Sequence, residues 1–311
     1  MKQIRLILLG VVILALFSLY GHFYPEPKPN PVAVGLGVTP KSPINFKDLL
    51  SLAPTVSASE ITDGSSVSVP ILMYHHVGPL LNTDAVASDL TVSIADFESQ
   101  IQYFKEKGYA SVSLAQVYSA VAFQIPLPPK PVVFTFDDGY QDVFENAIPI
   151  LEKYGFTGTF AIATELLGRP SYAVWDEVLE AQKSGMEIVS HTENHLDLTS
   201  DKYSDKDLNR EIFGSKQVLE EKLGTSIDFF VYPYGKYNDK VVGLVKAAGY
   251  KLALTTAFGL QVHEQTLLTT PRLRVHGQNG LDKIKRVFEP WLFPKPESET
   301  EQHSDLAPPS L

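Results

Sequence analysis

Two adjacent carboxylates, Asp137 and Asp138, follow a run of apolar, β-branched and aromatic residues at 132–136. A run with no polar face is typical of a strand buried on both sides, and Gly139 after the carboxylates indicates a tight turn. Residues 142–154 then show the helical spacing of apolar side chains. The segment predicts a strand, an acidic turn and a helix, although aspartate and glycine are also common in turns that have no chemical role.

Histidines follow two further predicted strands. His75 comes directly after the strand at 69–74, and His191 and His195 follow the strand at 186–190. Two histidines four residues apart, together with a carboxylate from another strand, can hold one face of a divalent metal ion and leave positions open for water and substrate. A histidine pair alone is weak, because histidines are also found solvated on surfaces. Beside the acidic turn of a neighbouring strand, the pair predicts a metal site.

The elements that position these residues alternate between strand and helix from residue 69 to about residue 290. This alternation predicts a parallel α/β sheet with right-handed crossovers, and about seven strands in one run favour a barrel or barrel-like sheet over two domains. Titratable residues cluster at the carboxyl ends of the predicted strands, while the strand interiors stay apolar. That separation is how an α/β barrel divides a catalytic face from a stabilising face.

Composition narrows the classes of function. The chain of 311 residues has a net charge of −10, which argues against a nucleic-acid-binding protein and against a polybasic membrane patch. It has no cysteine, which excludes disulfides, thiolate metal sites and a cysteine nucleophile. Any metal must therefore be held by histidine, aspartate or glutamate.

The two ends of the chain differ from the predicted domain at 69–290. Residues 1–24 begin with Lys2 and Arg5 and continue as an apolar run, which favours an uncleaved signal-anchor over a cleaved signal peptide. Residues 25–68 are rich in proline and serine and predict a linker, and residues 291–311 predict a disordered tail. We therefore expect an exported, membrane-anchored monomer, or a secreted one if the leader is cleaved.

Three separated motifs carry a resemblance to a known family. Thr-Phe-Asp-Asp-Gly-Tyr at 135–140, His-Thr-x-x-His at 191–195 and Tyr-Pro-Tyr-Gly at 232–235 resemble the polysaccharide deacetylases, also called the NodB-homology domain or carbohydrate esterase family 4. The opening Ile-Leu-Met-Tyr-His-His-Val at 71–77 resembles the branch of bacterial poly-N-acetylglucosamine deacetylases. The resemblance covers 69–288, and the order of the motifs makes it specific.

The resemblance implies a distorted (β/α) barrel that hydrolyses N-acetyl groups on a polysaccharide such as poly-N-acetylglucosamine, peptidoglycan or a chitin-like polymer. It implies Asp137 as the catalytic base and Asp138, His191 and His195 as ligands of a divalent metal. Zn²⁺ is expected first, with Co²⁺, Ni²⁺ or Fe²⁺ as alternatives. A backbone N–H from the turn at Tyr234 would help to stabilise the oxyanion.

The sequence departs from the commoner family pattern at the residue that would protonate the leaving amine. His276, in Leu-Arg-Val-His, matches the late family motif imperfectly, whereas the branch with the Tyr-His opening points to His75, which we favour. The family's arginine before Pro-Tyr is also missing, so Arg272 or Arg274 would have to orient the base.

Two aromatic residues and two rival functions complete the sequence-based predictions. Tyr140 and Trp175 could line a sugar-stacking groove, and each could equally belong to the core. One rival is an O-acetyl esterase on the same scaffold, because activated water attacks esters more easily than amides. The other is a carbohydrate-binding domain with a vestigial site, which has no need of an intact set of Asp137, Asp138 and the two histidines.

Overall fold

The computed structural model describes residues 66–79, 85–277, 280–282 and 284–285. The predicted anchor at 1–24, most of the predicted linker and the predicted tail lie outside these residues. Within them, no helix is both long enough and apolar enough to cross a membrane.

Strands and helices alternate along most of the described chain. The strands are β1 Ser66–Ser68, β2 Ile71–Tyr74, β3 His76–Val77, β4 Thr91–Val92, β5 Ala110–Ser111, β6 Pro131–Phe136, β7 Thr159–Ile162, β8 Glu187–Ser190, β9 Phe229–Val231, β10 Leu252–Phe258, β11 Gln261–His263 and β12 Thr270–Arg274. The α-helices are α1 Ala85–Leu90, α2 Ile94–Glu106, α3 Leu114–Phe123, α4 Ile148–Tyr154, α5 Trp175–Lys183, α6 Asp205–Asn209, α7 Ser215–Leu223 and α8 Asp239–Ala247. Two π-helical segments, Val143–Ala147 and Arg210–Gly214, precede α4 and α7.

Seven parallel strands close into a barrel in the order β2, β12, β10, β9, β8, β7, β6, and pairing of β6 with β2 completes the ring. The predicted distorted (β/α) barrel is therefore confirmed. Short β5 pairs with the start of β6, and β1 pairs antiparallel with β11. Because the ring strands are parallel, all of their carboxyl ends lie at one end of the barrel.

The alternation of side chains along β6 decides which way the catalytic candidates point. Phe134 packs in the outer core between barrel and helices, whereas Val133 belongs to the inner core. Successive side chains of a strand face opposite sides, so Thr135 and Asp137 share the inward side with Val133. The strand thereby carries Asp137 into the barrel at its carboxyl end.

Helix α3 closes the opposite, amino-terminal end of the barrel. Its apolar residues Leu114, Val117 and Val121 pack into the inner core, at a spacing that places them on one face of the helix. Ser113 and Gln116 form a capping box at its start. This helix fills the mouth of the barrel that lies away from the predicted site.

Glu187, at the start of β8, fixes the first turn of α3. Its carboxylate accepts hydrogen bonds from the backbone N–H of Leu114 (2.7 Å) and Ala115 (3.0 Å) and from the Thr159 hydroxyl (2.8 Å). A carboxylate at a helix amino terminus satisfies N–H groups that have no partner within the helix. The half-buried glutamate thus ties the closing helix to two strands of the barrel.

We predict that Glu187→Ala lowers the free energy of unfolding by about 1–3 kcal/mol, because three donors, two of them in part-buried hydrogen bonds, lose their acceptor. Glu180→Ala, which removes an exposed carboxylate from α5, serves as the matched control and should change stability by less than about 0.5 kcal/mol. Urea denaturation followed by circular dichroism measures both. Equal stability of the two variants would contradict a capping role for Glu187.

Candidate active site

Asp137 is held by a buried arginine. Arg272 of β12 donates from its two terminal nitrogens to both oxygens of Asp137, at 2.8 and 2.7 Å, and it also donates to the Thr135 hydroxyl (2.9 Å) and the Thr255 carbonyl (2.9 Å). Arg272 is only 1% exposed. Burial alone would raise the pKa of Asp137, but the guanidinium lowers it below its ordinary value. The carboxylate therefore stays charged and is fixed in orientation.

Arg274, the other predicted orienting residue, has a different partner. It donates to Asp89 of α1 at 3.0 Å, and the Nδ1 of His276 lies 2.8 Å from the second oxygen of the same carboxylate. Asp89 therefore gathers Arg274 and His276 in one cluster, whereas Arg272 is the arginine that contacts Asp137.

Asp138, His191 and His195 converge as a potential metal-binding set. One ligand atom from each lies within 4.8 Å of the others. The Oδ1 atom of Asp138 is 3.1 Å from Nε2 of His191 and 3.2 Å from Nε2 of His195. This oxygen is buried, yet it has no aligned hydrogen-bond donor in the described part of the chain. Three ligand atoms that face one another without hydrogen bonding fit a cation between them, and the Asp-His-His set suits a zinc-like ion.

The tautomer of His191 is set by a second contact. Its Nδ1 lies 2.7 Å from the Val231 carbonyl, which can only accept, so this nitrogen carries the proton. In the neutral form of the ring, which is the form that ligates a metal, Nε2 then carries the lone pair that faces Asp138. A second contact that fixes the ring in this way is usual for histidines that ligate metals.

Left-handed backbone places several of these side chains. Asp138, His195 and Tyr234 have φ values of 74°, 57° and 58°. Such values are uncommon for residues other than glycine and cost of order 1 kcal/mol or more each. Gly235 follows Tyr234 at φ 67°, where an added Cβ would collide with Thr256, so this turn requires glycine.

Glu211 shapes the loop that carries the two histidines. It lies in the π-helical segment before α7, is 2% exposed, and accepts from the backbone N–H of Glu193 (3.1 Å) and Asn194 (2.8 Å) and from the Asn194 side-chain amide (2.8 Å). The sequence-based reading missed this residue. Glu211 lies three residues after buried Leu208, and this helical spacing could have predicted that its side chain is on the buried face of the helix.

His75 lies among the charged groups of the site. Both Asp137 and Asp138 act on it electrostatically, and its Nδ1 is buried without a partner among the described residues. Burial lowers the pKa of His75 below its ordinary value, although the two carboxylates oppose that effect. His276 also has a buried ring nitrogen, Nε2, without a partner in the described chain, but its other nitrogen is engaged by Asp89.

The predicted aromatic residues occupy different surroundings. The ring of Tyr234 is 58% exposed and lies 4.6 Å from that of His195. Tyr140 stacks on His76 at 3.7 Å, and burial together with the nearby Asp138 raises the pKa of its hydroxyl. Trp175 instead packs partly buried against the outer core, with Lys222 over its ring. Of the three, Tyr234 and Tyr140 adjoin the metal-binding set.

The chain matches known proteins over the residues that build this site. The family model for polysaccharide deacetylase matches residues 124–253. The solved structure of the Streptococcus pyogenes deacetylase PplD, in complex with acetate, is 30% identical with a TM-score of 0.66, and the match covers 71% of this chain and 98% of that one. The chain belongs to the polysaccharide deacetylase family. It is accordingly an enzyme, a hydrolase of carbon–nitrogen bonds other than peptide bonds.

Two further relatives show the breadth of the similarity. The crystal structure of BC0361, a polysaccharide deacetylase from Bacillus cereus, is 28% identical with a TM-score of 0.62, covering 71% of this chain and 69% of that one. The poly-beta-1,6-N-acetyl-D-glucosamine N-deacetylase of Escherichia coli (strain K12) is 27% identical over 248 residues, which is 65% of this chain and 37% of that enzyme. The chain thus spans little more than a third of the E. coli protein.

We predict that Glu211→Gln weakens metal binding by about 10–100-fold, because the amide would turn a donor toward the N–H groups that Glu211 now accepts from. Glu221→Gln, an exposed change on the neighbouring helix α7, is the matched control and should bind metal as the unaltered protein does. Competition with a chromogenic zinc chelator measures the affinities. Unchanged affinity of Glu211→Gln in a folded protein would show that the histidine loop holds its shape without this carboxylate.

Proposed function

We propose that this protein is a metal-dependent N-deacetylase acting on a polysaccharide that contains N-acetylglucosamine. The observation that carries the proposal is the buried, unpartnered Asp138 oxygen between two histidine nitrogens, beside a carboxylate fixed by Arg272. The activity of the E. coli relative, a poly-beta-1,6-N-acetyl-D-glucosamine N-deacetylase, supports an N-acetylglucosamine polymer as the substrate class.

Asp138, His191 and His195 would hold the metal, with Zn²⁺ first and Co²⁺, Ni²⁺ or Fe²⁺ as alternatives. When bound, such an ion supplies Lewis acidity and lowers the pKa of water toward about 7. The remaining chemistry belongs to side chains and backbone groups of the protein, among them a backbone N–H of the Tyr234 turn, which would donate to the developing oxyanion.

Asp137 would act as the general base. Arg272 occupies one lone pair on each carboxylate oxygen, so a second lone pair on each oxygen remains to accept a proton from the attacking water. The bidentate clamp costs some basicity because it favours the charged form, but it holds the carboxylate in one orientation. Positioned proton transfer of this kind contributes roughly 10²–10⁴-fold to rate.

His75 would act as the general acid and deliver a ring proton to the leaving nitrogen. Amines are poor leaving groups unless they are protonated as the C–N bond breaks, whereas an activated phenolate leaves without help. Loss of the acid should therefore affect an amide substrate far more than an activated ester. His276, engaged by Asp89, is the alternative.

We predict that Asp137→Asn lowers kcat/KM for acetate release by about 10²–10⁴-fold and leaves metal content unchanged, because the amide cannot accept the proton but keeps the shape of the side chain. The assay follows acetate release from chitooligosaccharides, poly-N-acetylglucosamine and peptidoglycan with each metal, beside elemental analysis of the protein. Full acetate release by Asp137→Asn would remove this residue from the reaction.

We predict that His75→Ala loses about 10²–10⁴-fold of its activity on N-acetylated oligosaccharide but retains most of its activity on 4-nitrophenyl acetate, whose phenolate needs no acid. His276→Ala is the matched comparison and should retain most activity on both substrates. The opposite pattern would assign the acid to His276. An equal loss on amide and ester by His75→Ala would indicate a structural role for that histidine.

We further propose that the protein is exported and anchored by residues 1–24, as their basic start and apolar run suggest. The domain would act as a monomer on a polymer outside the cytoplasmic membrane. Removal of acetyl groups exposes amines and so raises the positive charge of the polymer, which suits remodelling of a cell wall or a biofilm matrix.

A further inference from the structure

A long uncharged stretch lies at the end of the barrel opposite the site. Residues 111–129 include no Asp, Glu, Lys or Arg, although 20% of the chain is charged. This stretch forms α3 and the loop that leads from it to β6. Large apolar side chains are exposed here, Phe123 by 65% and Ile125 by 55%. Apolar exposure along a stretch that itself carries no charge marks an interaction surface more than an ordinary solvated face.

The outward side of α3 and the loop after it form one surface. While the inward side of α3 fills the barrel mouth, Ala115, Gln116 and Ser119 line a shallow groove of about 230 Å³ with the segment 125–127. Phe123 stands beside this groove at the end of the helix. We call the groove residues together with Phe123 the α3 surface.

Lysines border the α3 surface. Lys130 directly follows the uncharged stretch and donates to the carbonyl of Lys107, and Lys251 lies over the ring of Tyr118 at 6.0 Å. Of the acidic groups nearby, Asp228 pairs with Lys251 and Glu187 caps α3 from within, whereas Glu264, in the segment 264–269 that contacts α3, is exposed and forms no ion pair within the described chain. Because Lys251 is paired with Asp228 and Lys107 takes part only through its carbonyl, Lys130 is the one of these three lysines whose charge would supplement apolar insertion at an anionic surface.

The described chain begins at the same end of the barrel. Val67, in β1, packs against the inner core together with Tyr118 of α3 and Leu127 of the following loop. The 65 residues that precede Ser66 therefore join the domain beside the α3 surface. The proposed anchor at 1–24 lies within that preceding segment.

We propose that the α3 surface rests on an anionic lipid bilayer, with Phe123 and Ile125 inserted at the headgroup level. The inference rests on the proposed anchoring and is independent of the deacetylase chemistry. Because the active site lies at the carboxyl ends of the same parallel strands, this contact would direct the site away from the membrane. A polymer chain could then reach Asp137 without crossing the lipid surface.

The absence of cysteine from the sequence allows a direct test with single labelled positions. The full chain carrying Phe123→Cys is labelled with the environment-sensitive dye NBD and reconstituted into vesicles of phosphatidylcholine with phosphatidylglycerol, or of phosphatidylcholine alone. Val86→Cys on α1 is the matched control. Val86 is 68% exposed, and its helix contacts the carboxyl end of β12 through Asp89. Flotation of the vesicles reports anchoring, and acetate release reports the enzyme.

We expect the dye at position 123 to shift its emission to shorter wavelength and to lose roughly twofold or more of its quenching by aqueous iodide, most strongly with the anionic lipid. The dye at position 86 should show neither change. A chain that floats with the vesicles but shows no shift at 123, or equal shifts at both positions, would overturn the docking and leave the anchoring standing. A chain that does not float overturns both. Loss of acetate release alone bears on the deacetylase proposal.

Discussion

The ion pair between Arg272 and Asp137 is the contact on which the arrangement of the site depends. A guanidinium inside a barrel is expensive to bury unless its donors are satisfied, and here Thr135, Thr255 and both Asp137 oxygens accept from it. Removing one member of such a pair typically costs about 3–5 kcal/mol, because the other charge remains buried alone. The sheet itself thus fixes the base.

The metal ligands are held by a different kind of support. Asp138 lies in a tight turn, and His191 and His195 lie at the two ends of a loop whose N–H groups are gathered by Glu211. Loops adapt more readily than a closed sheet, so their geometry depends on buried polar partners of this kind. The site therefore combines a base set by strand register with ligands set by hydrogen bonding around a loop.

Much of the fold could be predicted from the sequence because each ring strand is a short apolar run that ends in polar residues. The identity of the orienting arginine could not be predicted. Arg272 and Arg274 are two residues apart on one strand, so they face the same side and differ only by about 7 Å along it. The register of β12 places Arg274 opposite Met73, and that of β2 places Met73 opposite Thr135, so the contact of Arg272 with Asp137 depends on the path of its side chain across the barrel interior as well as on register. That register depends on closure of the whole barrel.

Contacts between segments that are far apart in the sequence could not be predicted from local sequence patterns either. Glu211 approaches the histidine loop from a helical segment 17 residues beyond Asn194, and a helical periodicity describes burial without naming what a buried carboxylate binds. Trp175 illustrates the reverse case, since its type suggested sugar stacking while its place at the start of α5 directs it to the outer core. Side-chain type indicates chemistry, but position in the fold decides whether that chemistry is available.

Two residues in left-handed turns of this site are not glycines, because their side chains supply atoms of the potential metal-binding set. Asp138 and His195 adopt φ values at which glycine would be unstrained. Glycine at either position would relieve the backbone but remove a ligand atom that lies within 4.8 Å of its two partners. The strain is tolerated because the ring closure and the Glu211 contacts hold the neighbouring backbone in place. At Gly235, where no side-chain atom is needed and Thr256 leaves no room for a Cβ, the same left-handed region is occupied by glycine.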